Sequence, residues 1–323
     1  MNTDWFHEAG WGVFTHWCGG AASPTEFNAR VDGFDVDRLV SQLVEIGTPY
    51  YFITLGQCSG YYCAPNPTYD RIVGHEESHC SRRDLISDIA TALEPHGVRL
   101  LVYVAGEGPA GDPHAARQFK HLGGQTLGWD IEDNRVREGR RCVEFLQLWQ
   151  TCIRDWSERF GKKVHGWWVD GCYWPEHIYR FADEPNYKSV AAAFRAGNSE
   201  SLLAFNGGLE TPIIAHSEYE DYTAGEVGHL LPVGTRRTGG MLDPIARFVG
   251  GGIQYHILTH LGEHWGNRPS RFPTELVIGY TKLVTQRGGV ITWDAGLDDT
   301  GNIYPEHFEQ LKALGHASRT AQG

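Results

Sequence analysis

Two acidic residues follow apolar, aromatic runs in this chain, where a carboxyl group could do acid–base or nucleophilic work. Asp170 ends the run Val164-His-Gly-Trp-Trp-Val-Asp170 and precedes Gly171, and Glu226 ends Asp221-Tyr-Thr-Ala-Gly-Glu226. A carboxylate set directly after buried aromatics is costly unless it is hydrogen-bonded or used. One ionised and one protonated carboxyl across a bond is the arrangement that glycoside hydrolysis needs. A plainer role also fits Asp170, that of capping the helix that follows. Glu107 and Asp294 are the reserve candidates for the acid.

Other apolar runs also end on polar residues: His16, Gln57, Glu107, Asn206, His256 and Asp294. If the runs are neighbouring strands, these side chains converge on one pocket. Trp17, Tyr61, Tyr103, Trp168, Trp174, Trp265 and Trp293 lie at or just past the same ends. Aromatic rings stack on the apolar C–H faces of sugars while polar neighbours bind the hydroxyls. Taken singly, each aromatic is more often core.

Sixteen histidines prompt a search for metal ligands. His75 and His79 are spaced i,i+4, but the intervening Glu-Glu-Ser makes no zinc motif, and Phe14-Thr-His16 lacks a His-x-His pair. His256 and His260 share that spacing, with His264 following. No C-x-x-C pair occurs among the seven cysteines. The expectation is therefore no metal and no cofactor. There is no G-x-S-x-G elbow, and Cys58, in Gln57-Cys-Ser-Gly60, is a minor nucleophile candidate. An odd cysteine count reads as reduced thiols. With no basic region and apolar stretch at the N-terminus, a cytoplasmic location is expected.

The elements that must hold these residues alternate along the whole chain. Candidate strands are 11–17, 50–56, 98–105, 164–170, 202–206, 222–226, 253–258 and 290–294, continuous in apolar character as strands buried on both faces are. Helical patterns fall at 35–47, 83–96, 140–160, 176–196, 243–249, 274–286 and 305–314, and the stretch between 206 and 222 is weak as a helix. Residues 107–135 are rich in Gly, Pro and Asp and read as a long loop over the mouth. Eight strands with intervening helices predict an α/β fold, a (β/α)8 TIM-like barrel forming a single domain over 1–323. A doubly wound dinucleotide-binding sheet would want G-x-G-x-x-G after the first strand, and Gly19-Gly-Ala21 does not supply it. The formal net charge of −12 argues against nucleic acid and anionic membrane surfaces as partners. Eleven Trp, 14 Tyr and 14 Phe are too many for a disordered chain.

The opening Asp4-Trp-Phe-His-Glu-Ala-Gly-Trp-Gly-Val-Phe-Thr-His-Trp17 resembles the first-strand motif of the α-L-fucosidases of glycoside hydrolase family 29. The likeness runs across their catalytic barrel. Tyr51-Phe-Ile-Thr-Leu55 with Gly60-Tyr61, Arg83-Asp-Leu85 with Val102-Tyr103, and Trp167-Trp-Val-Asp-Gly171 are similar to successive units of that family. So are Gly288-Gly-Val-Ile-Thr-Trp-Asp-Ala-Gly296 and Asp299-x-Gly301-x-Ile303-x-Pro305. The family's usual C-terminal β-sandwich has no counterpart. The resemblance implies Asp170 as nucleophile, Glu226 as acid/base, and His16 as a ligand of a sugar hydroxyl. The family's paired histidines fall at Gln57 and Cys58, and its Asn-x-Arg becomes Asn206-Gly-Gly208, so a sugar with a different hydroxyl pattern is a fair expectation.

The leading expectation is a retaining exo-glycosidase acting on an α-L-fucoside or a related glycoside through a covalent glycosyl-enzyme. Its substrate set would be His16, Trp17, Gln57, Cys58, Tyr61, Tyr103, Glu107, Trp168, Asn206, Trp265 and Asp294. Two alternatives stand beside it: a non-catalytic carbohydrate-binding protein on the same barrel, and a barrel enzyme of other chemistry, such as a lyase or metal-dependent hydrolase. The expected partner is carbohydrate. Self-association into a homo-oligomer would cover the barrel face that a sandwich usually covers.

Overall fold

Continuous apolar runs have no solvent face, so they pair side by side and are covered by helices. In the computed structural model, which describes residues 3–17, 20–121, 141–173, 175–209, 213–233 and 247–320, eight such runs form one sheet. The strands are β1 (Trp11–Thr15), β2 (Tyr50–Gly56), β3 (Arg99–Ala105), β4 (Val164–Asp170), β5 (Leu202–Phe205), β6 (Glu226–Gly228), β7 (His256–His260) and β8 (Val290–Asp294). Every neighbouring pair is parallel, in the order β5-β4-β3-β2-β1-β8-β7-β6. This curled α/β arrangement is consistent with a TIM-like barrel.

Between β5 and β6 no ladder forms among the described residues, and side chains take the place of strand carbonyls. Asp221 Oδ2 accepts from the Leu203 N–H at 2.9 Å, and Glu220 Oε1 accepts from the Phe205 N–H at 2.8 Å. The Leu203 carbonyl in turn accepts from the Asp221 N–H. These contacts satisfy backbone groups that would otherwise be left unpaired at a buried edge.

Alternation along each strand splits the core in two. Residues facing the helices, such as Trp167 against Phe160 and Phe194, form the outer layer. Those facing inward, among them Phe14, Phe52, Leu101, Tyr103, Trp168, Ala204 and Leu258, fill the space the sheet encloses, joined by Phe6 of the helix Asp4–Ala9. Gly12 belongs to this inner set, because a Cβ there would sit 2.1 Å from the Tyr50 ring. The outer helices begin and end as their sequences dictate. Asp35 accepts from the Arg38 N–H to cap Val36–Ile46, and Gly47, at φ 76°, closes it in the left-handed region.

Several boundaries differ from the sequence expectation. The run expected over 253–258 divides: Ile253–Gln254 pairs antiparallel with Phe248–Val249, and the sheet strand starts at His256. The sixth strand begins at Glu226 rather than ending there, and Tyr222 only bridges to Gln254. The helix expected over 176–196 is interrupted: Pro175–Ile178 and Tyr187–Phe194 are separate, the second capped by Asn186. Phe248–Val249 is strand where helix was expected, and 243–246 lie outside the described residues. The expected loop at 107–135 contains the short helix Pro113–Gln118, and its remainder from 122 lies outside them too.

Candidate active site at the C-terminal ends of the strands

The inward series runs on past the apolar layer, and two residues further along each strand it becomes polar. Phe14 is followed by His16, Trp168 by Asp170, Ala204 by Asn206, Leu258 by His260 and Thr292 by Asp294. Strand periodicity thus aims all of these side chains at one region above the aromatic floor. A cavity of about 370 Å³ opens there, lined by His16, Gln57, Trp168, Asp170, Glu226, Leu258, Trp265 and Gly266. A larger hollow of about 500 Å³ lies at the opposite end of the sheet, by Arg99, Lys163 and His165, and Glu94 is its one carboxylate.

Asn206 joins the two principal acids. Its Nδ2 donates to Asp170 Oδ1 at 2.8 Å and to Glu226 Oε2 at 2.6 Å. The same Asp170 oxygen accepts from the Gly171 N–H at 2.9 Å, and Oδ2 accepts from the Tyr103 hydroxyl at 2.6 Å. Three donors therefore fix the Asp170 carboxylate. Asn206 is itself held: its N–H donates to the Val169 carbonyl, and its own carbonyl accepts from the Cys172 N–H. Burial first, then the charge of Asp170, pushes Glu226 up to about 7, against the opposing effects of Asn206 and His16. Glu226 thus holds its proton close to neutrality, as a group that delivers one there must.

On the far wall, Asp294 organises a second group. Its Oδ1 accepts from the His16 N–H at 3.2 Å and from His16 Nδ1 at 2.9 Å, and its Oδ2 accepts from the Gly266 N–H at 2.6 Å. With Nδ1 committed as donor, Nε2 of His16 is the nitrogen left for a ligand. Trp265 packs on His16 at 5.4 Å and on His260 at 4.7 Å between centroids. His260 Nδ1 donates to the Gly262 carbonyl at 2.7 Å, while its buried Nε2 has no hydrogen-bond partner. Burial lowers His260 to about 4, so it is a neutral imidazole with an open acceptor.

The structure brings His16, Gln57, Trp168, Asp170, Glu226 and Trp265 together around the cavity. Tyr103, Asn206 and Asp294 stand behind them as hydrogen-bond partners. The others lie elsewhere. Trp17 is buried between Phe27 and Phe34, on the helix side of the sheet. Tyr61 stacks on His79, and Cys58 is half-buried on the loop after β2, its carbonyl bound by the Gly111 N–H. Glu107 is buried against Gly171 and is not in the cavity lining. His256 is buried one turn of alternation too low, bonded to Thr223 and Thr292, and Trp293 faces Thr281 on an outer helix. Trp174 lies outside the described residues.

Sequence reasoning missed Leu258 and His260 as site residues. Both follow from alternation once β7 is extended to His260.

No protein-family model matches the sequence, and neither does any curated protein. Solved structures do share the fold. An endo-fucoidan hydrolase of glycoside hydrolase family 107, MfFcnA4_H294Q, aligns at 17% identity and TM-score 0.72 over 97% of this chain and 53% of its own, so the chain spans about half that protein's length. A second family 107 endo-fucoidan hydrolase, P5AFcnA, aligns at 15% identity and TM-score 0.72 over 98% and 95% of the two chains. The α-L-fucosidase AlfC from Lactobacillus casei, in complex with α-L-fucose product, aligns at 14% identity and TM-score 0.64, covering 99% of each. At these identities the likeness is one of fold, and it does not single out the family 29 resemblance seen in the sequence.

Proposed function

We propose that the chain is a glycoside hydrolase acting on α-L-fucosides or a related fucose-rich glycan. The observation that carries this reading is the single Asn206 nitrogen bonded to both Asp170 and Glu226 at the cavity wall. The two bonded oxygens lie 2.8 and 2.6 Å from that atom, a closeness that supports a retaining pair, at ~5–5.5 Å, over the ~6.5–9.5 Å that leaves room for an inverting water. The fold shared with fucose-directed hydrolases supports the choice of sugar. A 6-deoxy sugar also carries a methyl group, and Leu258 with Trp265 offers it an apolar contact.

In this reading an Asp170 oxygen attacks the anomeric carbon as the bond to the leaving oxygen breaks, and Glu226 gives its proton to that oxygen. The glycosyl ester then holds the sugar on Asp170. Glu226, now ionised, takes a proton from water, whose oxygen attacks the same carbon and returns the electron pair to Asp170. His16 Nε2 binds a ring hydroxyl, His260 backs Trp265, and Trp168 and Trp265 supply stacking faces. The cavity volume lies at the lower end of the ~300–1,000 Å³ typical of ligand sites, which favours one terminal residue and exo action.

The test pairs nitrophenyl α-L-fucoside with fucan oligosaccharides, using wild type and Asp170→Asn. Release of the α-anomer first, seen by proton NMR and lost in the variant, supports the proposal. Release of the β-anomer overturns retention. Internal cleavage without fucose release replaces exo with endo action, and turnover that persists in Asp170→Asn removes it as nucleophile.

A further inference from the structure

We propose that His75, His79 and Asp112 form a zinc site joining the loops that follow β2 and β3, apart from the carboxylate cavity. His75 Nε2 lies 2.8 Å and His79 Nδ1 3.2 Å from the same oxygen, Asp112 Oδ2, and the three ligand atoms all fall within 4.8 Å of one another. Ligands about 2.0–2.2 Å from a tetrahedral zinc stand roughly 3.3 Å apart, so the Asp112–His distances already approach those of a bound ion.

The two histidines are unequal in a way that a purely structural triad does not explain. The His75 nitrogen makes a hydrogen bond to Asp112. His79 Nδ1 is buried, sits in contact distance of the same oxygen, and has no well-directed hydrogen bond. A ring nitrogen in contact with a carboxylate oxygen but poorly directed toward it, beside a second imidazole, is the donor set of a borderline cation, zinc above magnesium or calcium. Two neutral imidazoles and one carboxylate leave a fourth position for water.

The backbone around each ligand is fixed independently. Asp112 Oδ1 caps the helix Pro113–Gln118 by accepting from the His114 and Ala115 N–H groups, which leaves Oδ2 free to face the histidines. His79 is held through its carbonyl, which accepts from the Tyr62 N–H, and Ser78 donates to Asp70. Tyr61 stacks on His79 at 4.4 Å, and His75 stacks on His79 at 3.9 Å with planes 23° apart. An ion shared by both rings requires each to tilt until its lone pair meets the ion, a side-chain adjustment that leaves the loops in place. Once bound, the ion would cross-link the loop that carries Gln57 to the one that carries Glu107.

The experiment is calorimetric titration of ZnCl2 into chelator-stripped full-length protein, for wild type, Asp112→Asn, His79→Gln and His264→Gln. Asparagine keeps the helix cap, and circular dichroism checks folding. The proposal expects one zinc per chain, affinity lower by at least about 100-fold in Asp112→Asn and His79→Gln, and a zinc-dependent rise in Tm that both lose. His264→Gln, on the loop after β7 and outside this cluster, should bind as wild type does. No saturable binding, equal affinity in wild type and Asp112→Asn, or binding lost with His264 would each overturn it.

Discussion

Asp170, Asn206 and Glu226 sit at strand ends, whereas His75, His79 and Asp112 sit on loops above the neighbouring strands. Each cluster holds a carboxylate against partners that set its charge, but in opposite directions. At the strand ends, burial and Asp170 push Glu226 up to about 7. On the loops, burial would raise Asp112, yet contacts from His79, the Ala115 N–H and His75 outweigh it and hold the carboxyl well below its usual range. The strand-end pair is thereby suited to moving a proton, and the loop cluster to holding a cation.

The sharpest test of that division is Asp170→Asn. It should lower kcat/KM by roughly 10³-fold or more, about 4 kcal/mol of transition-state stabilisation, in a protein that still melts cooperatively. A loss of comparable size in Asp112→Asn would join the two regions into one site. Next is Glu226→Gln, expected to cost about 10²–10⁴ in kcat on substrates with poor leaving groups, and less on nitrophenyl glycosides. The acid form of Glu226 is present below about 7, so wild-type kcat should fall as pH rises through that value. In the Gln variant that alkaline limb should vanish, and its survival would assign the acid role elsewhere.

Stability against pH should separate the clusters as well. Glu226 has a raised folded-state pKa, so its contribution is complete below the ordinary 4.5 and is lost as pH rises through about 7. Asp112 has a lowered one, so its contribution is complete above the ordinary 3.8 and is lost as pH falls below it. Urea midpoints across pH 3–8 should flatten on the neutral side for Glu226→Gln and on the acid side for Asp112→Asn. The smallest effect compares two helix caps. Asp35→Ala should cost about 1 kcal/mol, while Asp112→Ala also strands two histidine contacts and should cost about 1–3 kcal/mol. Equal costs would mean that the histidines contribute nothing without a metal ion.

The strand-end cluster was largely legible in the sequence because strand alternation is local. Given Trp168 in the core, Asp170 two residues on must point the same way, and the same holds for Phe14 and His16. Legibility failed where the strand boundary did: ending the seventh run at Leu258 selected His256, which is buried in the interior, and hid His260. Trp17 and Tyr61 were misplaced for a related reason. An aromatic just past a strand end can turn toward the helices as easily as toward the mouth, and apolar character does not say which. The loop cluster was not legible. Residues 75 and 79 have a metal-like spacing but no motif, and their third member lies on the loop after β3.

The sequence by itself determined the alternation of buried strands and helices, the helix start at Asp35 and its stop at Gly47, and the inward direction of Asp170, because these depend on neighbours a few residues away. Only the tertiary structure decided what meets across strands. That includes the one Asn206 amide shared by Asp170 and Glu226, the Asp294 clasp on His16 and Gly266, the carboxylates of Glu220 and Asp221 at the β5–β6 edge, and the approach of Asp112 to His75 and His79. Each depends on distances between segments far apart in the chain, and those distances are set by how the sheet curls and how its loops pack.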